Sequence, residues 1–189
     1  MISANQVYIF KLRRQFLCNS LSGNRLDLLT ITKFDDATTF DISQRKYIFL
    51  SARVHPGETN SSHIMHAVMQ FLLSDDPVAS TLRKAYIFKI IPMLNPDGVI
   101  NGSHRCSLAG LDLNRCWLHP DEFITPEIYW SKNVIRYLYE QGRKPLISCD
   151  FHGHSREKGV FLFGCENKGP AVNMEKVCFN LLTILPRHP

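Results

Sequence analysis

The chain has 189 residues and 44% apolar content, the length of one ordinary domain with enough hydrophobic side chains to build a core. Its net charge of +5 comes from basic residues set singly or in pairs, so without a clustered basic footprint nucleic-acid binding is not expected. No apolar run approaches a membrane span, and "MISANQVYIFKLRRQFLCNS" lacks the basic-then-apolar order of a signal peptide. Six scattered cysteines (Cys18, Cys106, Cys116, Cys149, Cys165, Cys178) form no CxxC and read as reduced thiols of a cytoplasmic protein.

In chain order, "RQFLCNS" and "RLDLLTIT" flank the turn residues "SGN" and predict a β-hairpin. "RKYIFLSARV" is apolar at its centre, as a strand buried on both faces should be. After the Pro-Gly turn, "TNSSHIMHAVMQFLL" places Ile64, Val68, Phe71 and Leu72 at helical spacing and ends at "SDDP", where Pro77 cannot continue a helix. "AYIFKIIPML" predicts another strand, followed by the polar stretch "NPDGVINGSHRCSLAGLDLNRCW". Thr125 as N-cap and Pro126 at the first helical position open a helix running to Gly142. "PLISCDF" and "GVFLFGC" supply two further strands. Alternating strands and helices imply one α/β domain over residues 1–189, with helices on both faces of a mixed, mostly parallel sheet and its chemistry at the strands' C-terminal ends.

That rule singles out His55 after the strand "YIFLSARV", Glu58 at the start of the next helix, and His152 after "LISCDF". A tight turn needs Pro and Gly but needs neither His55 nor Glu58. Two imidazoles and one carboxylate are a catalytic zinc set, because the fourth tetrahedral position stays open for water whose pKa the metal lowers to about 7. His154 competes with His152, since alternation in an extended segment puts both on the same side. His63 and His66, three apart on a helix, read as a solvated face. The polar stretch holds Arg105, Asn114 and Arg115: one arginine suits a bidentate carboxylate clamp to which the Asn amide adds a donor, and a second arginine near zinc suits an oxyanion. Asp112 could orient a metal-bound imidazole.

The motifs "HPGE", "NPDGV", "HRCSLAGLDLNR" and "DFHGHS", in this order, resemble the zinc metallocarboxypeptidases of the carboxypeptidase A superfamily. "LCNSLSGNRLDLLTIT", "ARVHPGETNSS" and "RCSLAGLDLNR" resemble its cytosolic carboxypeptidase branch, whose members include enzymes that remove glutamates from tubulin tails. The resemblance implies that fold and one zinc ion per chain, held by His55, Glu58 and His152 rather than His154. It further implies Arg105 as carbonyl polariser, Asn114 with Arg115 as clamp for a substrate's terminal carboxylate, and Asp112 behind the first histidine. The partners implied are acidic protein tails, with tubulin polyglutamate foremost, in the cytoplasm and at microtubules or cilia. Nucleic acid, membrane and nucleotide are not expected partners; no GxxxxGK[ST] phosphate loop is present.

The same resemblance implies a general-base glutamate and a tyrosine in a later segment, and nothing after "GVFLFGC" resembles it. Past His152 the chain has no Tyr and no Asp, only Glu157, Glu166 and Glu175. The expectation is a catalytic domain lacking the family's C-terminal catalytic segment and N-terminal domain, with a sheet cut short at an unpaired central strand. Two functions follow: deglutamylation by a metallocarboxypeptidase, or a catalytically impaired zinc module that holds acidic tails. A small-molecule amidohydrolase related to the aspartoacylases is a third, disfavoured by the extended "NPDGV" and "RCSLAGLDLNR" match.

Overall fold

The computed structural model describes residues 11–34, 42–157, 159–164 and 179–183. The hairpin forms from β1 (Leu12–Asn19) and β2 (Arg25–Ile31), with Gly23 at φ 85° closing the turn where an L side chain would be strained. β3 (Lys46–Ala52) follows, then helix α1 (Thr59–Leu73). Pro77, which ends the first helical pattern, also starts a second helix, α2 (Pro77–Ala85). The Asp76 carboxylate accepts from the amides of Val78 and Ala79, so the "DDP" that reads as a stop is an N-cap with proline at the first position. β4 (Tyr86–Ile91), a short helix α3 (Pro96–Ile100), a 3-10 turn at Leu113–Arg115, α4 (Pro126–Glu140), β5 (Ile147–His152), β6 (Val160–Phe163) and β7 (Phe179–Thr183) complete the order.

The strands form one seven-stranded sheet in the order β1-β2-β4-β3-β5-β7-β6 among the described residues. The pairs β3/β4, β3/β5 and β5/β7 are parallel, and β1/β2, β2/β4 and β6/β7 are antiparallel. The four central strands β4-β3-β5-β7 are all parallel, as a mixed, mostly parallel central sheet requires, and the antiparallel pairs lie toward the edges. The strand β7 lay outside the sequence reading. It covers the flank of β5, so the expected unpaired central strand is not found there.

Each face of the sheet carries its own core, giving three layers. Leu50, Ala52, Ile90 and Phe151 pack under Met65 and Leu72 of α1. Leu28, Phe49 and Ile91 pack with Ile128 of α4 and with Leu94 and Leu113 from the connecting loops. Strand β3 alternates between the two, which is why it reads as apolar throughout. Within α1 the buried side chains are Ser61, Met65 and Leu72, while Phe71 is 40% exposed despite its helical spacing. Thr125 occupies the N-cap position of α4 without capping it: its hydroxyl donates to the Asp121 carbonyl at 3.0 Å and accepts from the Asp121 amide at 2.9 Å.

One buried carboxylate ties the hairpin to the loops that build the site. Asp97 is fully buried and accepts from the hydroxyls of Ser20 and Ser22, the Ser22 amide and the Asn24 side chain. Burial opposes its ionisation, but these donors outweigh burial and hold its pKa below the usual carboxylate range. Replacing Asp97 by Ala strands the buried Ser20 hydroxyl and the partly buried donors of Ser22 and Asn24, and a loss of about 2 kcal/mol is expected in urea unfolding. A loss below about 1 kcal/mol would mean that the tie is not structural.

Candidate metal centre

The route from β3 to α1 is bent by local chemistry. Arg53, at φ 59°, is the one non-glycine residue with positive φ among the described residues. Its amide donates to Ser61 Oγ, and its guanidinium reaches the Pro56 carbonyl and Ser62 Oγ, each at 2.8 Å. The Gly57 amide donates to the His104 carbonyl at 2.8 Å, and a Cβ at Gly57 would collide with the His104 ring. This turn delivers His55 and Glu58 to the C-terminal end of the sheet. β5 is parallel to β3 and immediately beside it, which brings His152 to the same place.

There His55, Glu58 and His152 each offer one ligand atom, all within 4.8 Å of one another. His55 and His152 are 4% and 3% exposed, with ring centroids 5.0 Å apart. Glu58 occupies the N-cap position of α1 but makes no capping bond. Its carboxylate faces the histidines instead: Oε1 lies 2.9 Å from His55 Nδ1, Oε2 lies 3.0 Å from His152 Nδ1, and Oε2 also accepts from the Gly153 amide at 2.7 Å. Behind the rings stand two more carboxylates. His55 Nε2 is 3.0 Å from Asp112 Oδ1, and His152 Nε2 is 2.7 Å from Asp150 Oδ2.

Both nitrogens of each imidazole therefore face a carboxylate. A neutral imidazole has one N–H to give, so donation from His55 Nε2 to Asp112 leaves its Nδ1 lone pair pointing at Glu58, while His152 Nε2 stands close to Asp150 but out of line for a hydrogen bond. Such a juxtaposition requires a cation at the centre, either a proton or a metal ion. Two imidazole lone pairs and a carboxylate converging on one point, each ring held by a carboxylate from behind, fit a zinc ion.

The electrostatics agree. Burial works against protonation of His152, but Asp150 and Glu58 outweigh it and raise its pKa to about 10. Burial likewise works against ionised Glu58, but His152, His55 and the Gly153 amide bring its pKa down to about 2. Without metal, Glu58 contributes stability above its ordinary value of 4.5 and His152 below its ordinary value of 6.5; the latter share is lost as pH rises through about 10.

The other sequence candidates fall into place around this cluster. Asp112 stands behind His55 as expected, and also accepts from Arg105 Nε at 2.8 Å and the Asn114 amide at 2.9 Å. Arg105 is half exposed beside the centre. Arg115 is exposed, its guanidinium making one long contact of 3.5 Å to the Asn114 carbonyl. His154 is excluded from the cluster: its Nδ1 accepts from the amides of Arg156 and Glu157, and its ring packs edge-on against Phe161. His63 and His66 are exposed. Glu157 is exposed in the loop after β5. Among the described residues no further glutamate joins the cluster. Sequence reasoning missed Asp150, although strand alternation puts residues 150 and 152 on one face of β5 and so carried the signal. It also missed the Gly153 amide, which no side-chain pattern could reveal.

Comparison with known proteins matches residues 10–146 to the zinc carboxypeptidase family. The chain belongs to that family. His152 lies just past the matched residues, and the geometry joins it to His55 and Glu58. Human cytosolic carboxypeptidase 1 is 51% identical over 167 residues, covering 86% of this chain and 13% of that protein. Mouse cytosolic carboxypeptidase 4 is 53% identical over 160 residues, covering 82% and 14%. The chain thus spans about an eighth to a seventh of the length of these curated relatives. Among solved structures, a putative carboxypeptidase A from Shewanella denitrificans superposes with a TM-score of 0.74 at 32% identity, covering 87% of this chain and 41% of that one. An aspartoacylase family protein from Mesorhizobium loti, at 10% identity and a TM-score of 0.53, shares the fold alone.

Zinc titration of the metal-free protein should saturate at about one ion per chain and release protons at neutral pH, because the ion displaces the His152 proton. Apparent affinity should weaken as pH falls, His55→Ala and His152→Ala should each abolish binding, and Asp150→Asn should weaken it by about 10–100-fold. Calorimetry in buffers of differing ionisation enthalpy measures all three; full retention of zinc by both alanine variants would refute the centre.

Proposed function

We propose that this chain is a zinc metallocarboxypeptidase unit that removes C-terminal or branched glutamates from acidic protein tails such as those of tubulin. The observation that carries the reading is the convergence of His55, Glu58 and His152, each imidazole backed by its own carboxylate, in a chain with cytosolic carboxypeptidase relatives. In this reading His55, Glu58 and His152 hold the zinc ion. Bound zinc supplies Lewis acidity, which activates water and polarises the scissile carbonyl. Asp112 and Asp150 keep both imidazoles oriented with Nδ1 towards the centre. Arg105 swings from Asp112 to donate to the carbonyl oxygen as negative charge develops there. Arg115 and Asn114 take the substrate's terminal carboxylate, the planar guanidinium matching it in a bidentate contact. The relatives' cytosolic names favour the cytoplasm, and action on tubulin would place the protein at microtubules or cilia.

The lack of a second glutamate near the cluster among the described residues favours a second reading, in which the same groups hold acidic tails without cutting them. A positioned acid or base is worth about 10²–10⁴-fold in rate, so slow turnover rather than none is expected of the main reading if no base is supplied.

The test is release of free glutamate from a polyglutamylated tubulin-tail peptide by zinc-loaded protein, with His55→Ala as control. Release by the wild type alone supports the peptidase, and Arg115→Ala should then raise KM at least tenfold. Binding of the peptide without any product selects the second reading.

A further inference from the structure

A second surface lies at the opposite end of the sheet from the metal centre. A groove of about 640 Å³ is lined by Arg13, Thr30, Tyr47, Lys89 and Arg143. It runs into a second groove of about 530 Å³ against α4, lined by Trp130 and Tyr137 and sharing Gln15, Tyr47 and Lys89 with the first. Tyr47 is the second residue of β3 and Lys89 pairs in register with Phe49 midway along it, whereas His55 follows that strand's far end.

The charges along this groove are not balanced internally. Arg14 is paired with Asp27, and Arg136 stands 3.9 Å from Glu140. Arg13, Lys89 and Arg143 have no carboxylate partner among the described residues. Arg13 lies over the Phe34 ring at 4.1 Å, and the Lys89 ammonium donates only to Thr30 Oγ1 at 2.9 Å. Lys89 is partly buried, and burial, then the neighbouring Arg13 charge, push its pKa down. Cations on an edge strand guard against aggregation, and Arg13 and Arg14 on β1 fit that role. Lys89 does not, because β4 is an interior strand whose lysine faces into the groove. Two adjacent cations with no carboxylate partner among the described residues are a place for anionic groups from outside.

The neighbouring strand suggests the form of those groups. Among the described residues β1 is an edge of the sheet, exposed from Arg13 to Phe16, and its outer rim can accept a further strand. Trp130 (38% exposed) and Tyr137 (59% exposed) add aromatic walls. No phosphate loop accompanies the cations.

We infer that the groove between β1 and α4 is a docking surface for an extended acidic polypeptide, whose carboxylates meet Arg13, Lys89 and Arg143 while its backbone runs beside β1. It works independently of the metal centre and would anchor an acidic chain away from the zinc site.

Fluorescence anisotropy of a short labelled peptide of alternating glutamate and valine tests this on the full chain. With its C-terminus amidated, the peptide should bind the wild type equally with or without zinc, and the glutamine counterpart should not bind. Arg143→Glu and Arg13→Gln should each weaken binding by about tenfold without changing the melting temperature, and Lys89→Gln should do the same if it folds. Added salt should weaken binding further. Unchanged affinity in both arginine variants, loss of binding on removal of zinc, or tighter binding of an oligonucleotide of equal charge would each overturn the inference.

Discussion

The structure turns on two buried imidazoles that each have a carboxylate at both ring nitrogens. Imidazole has a single proton to donate when neutral, so this arrangement is electrostatically complete only with a cation between His55, Glu58 and His152. Everything nearby serves that arrangement. The parallel pairing of β3 and β5 sets two strand ends side by side. The left-handed Arg53 and the close approach of Gly57 to His104 then return the chain so that Glu58 enters α1 facing the histidines. Glu58 forgoes capping its own helix to do so, a local loss of about 1 kcal/mol that the cluster must offset.

Other buried acids of the same chain are handled differently, which sharpens the meaning of this one. Asp97 is neutralised by hydroxyl and amide donors and needs no counter-cation. Glu127, at the start of α4, is 1% exposed, and burial pushes its pKa up to about 7. It can thus shed its charge by holding a proton. Glu58 and Asp112 keep theirs, because imidazoles, Arg105 and backbone amides surround them. Concentrated negative charge beneath two open imidazole lone pairs is the signature of a metal centre rather than of an ion pair that stabilises the fold.

Charge is distributed along the sheet in the same purposeful way. Carboxylates gather where the central strands end, and cations without a carboxylate partner among the described residues line the groove beside β1. The carboxylates around His55, Glu58 and His152 favour a divalent cation at that end.

Much of this was legible in the chain itself. The hairpin, α1, α4, the strand starts and the pair His55 and Glu58 follow from periodicity, turn residues and the rule that places chemistry at strand ends. These signals are local, because dihedral preferences and side-chain period act over a few residues. What lay beyond reach depended on partners distant in sequence. His152 and His154 are equivalent by alternation, and only packing separates them, one ring turned to Glu58 and Asp150, the other stacked edge-on to Phe161. Asp150 acquires its role only when β5 lies beside β3, and β7 becomes part of the sheet only by pairing with β5 and β6. The lysine at position 89 reads as an ordinary strand residue until β1 and α4 enclose it with Arg13. The sequence by itself determined which ligand types exist and near which strand ends they sit. The tertiary structure alone decided which of them share one cation, because that depends on distances of a few ångströms between residues nearly a hundred positions apart.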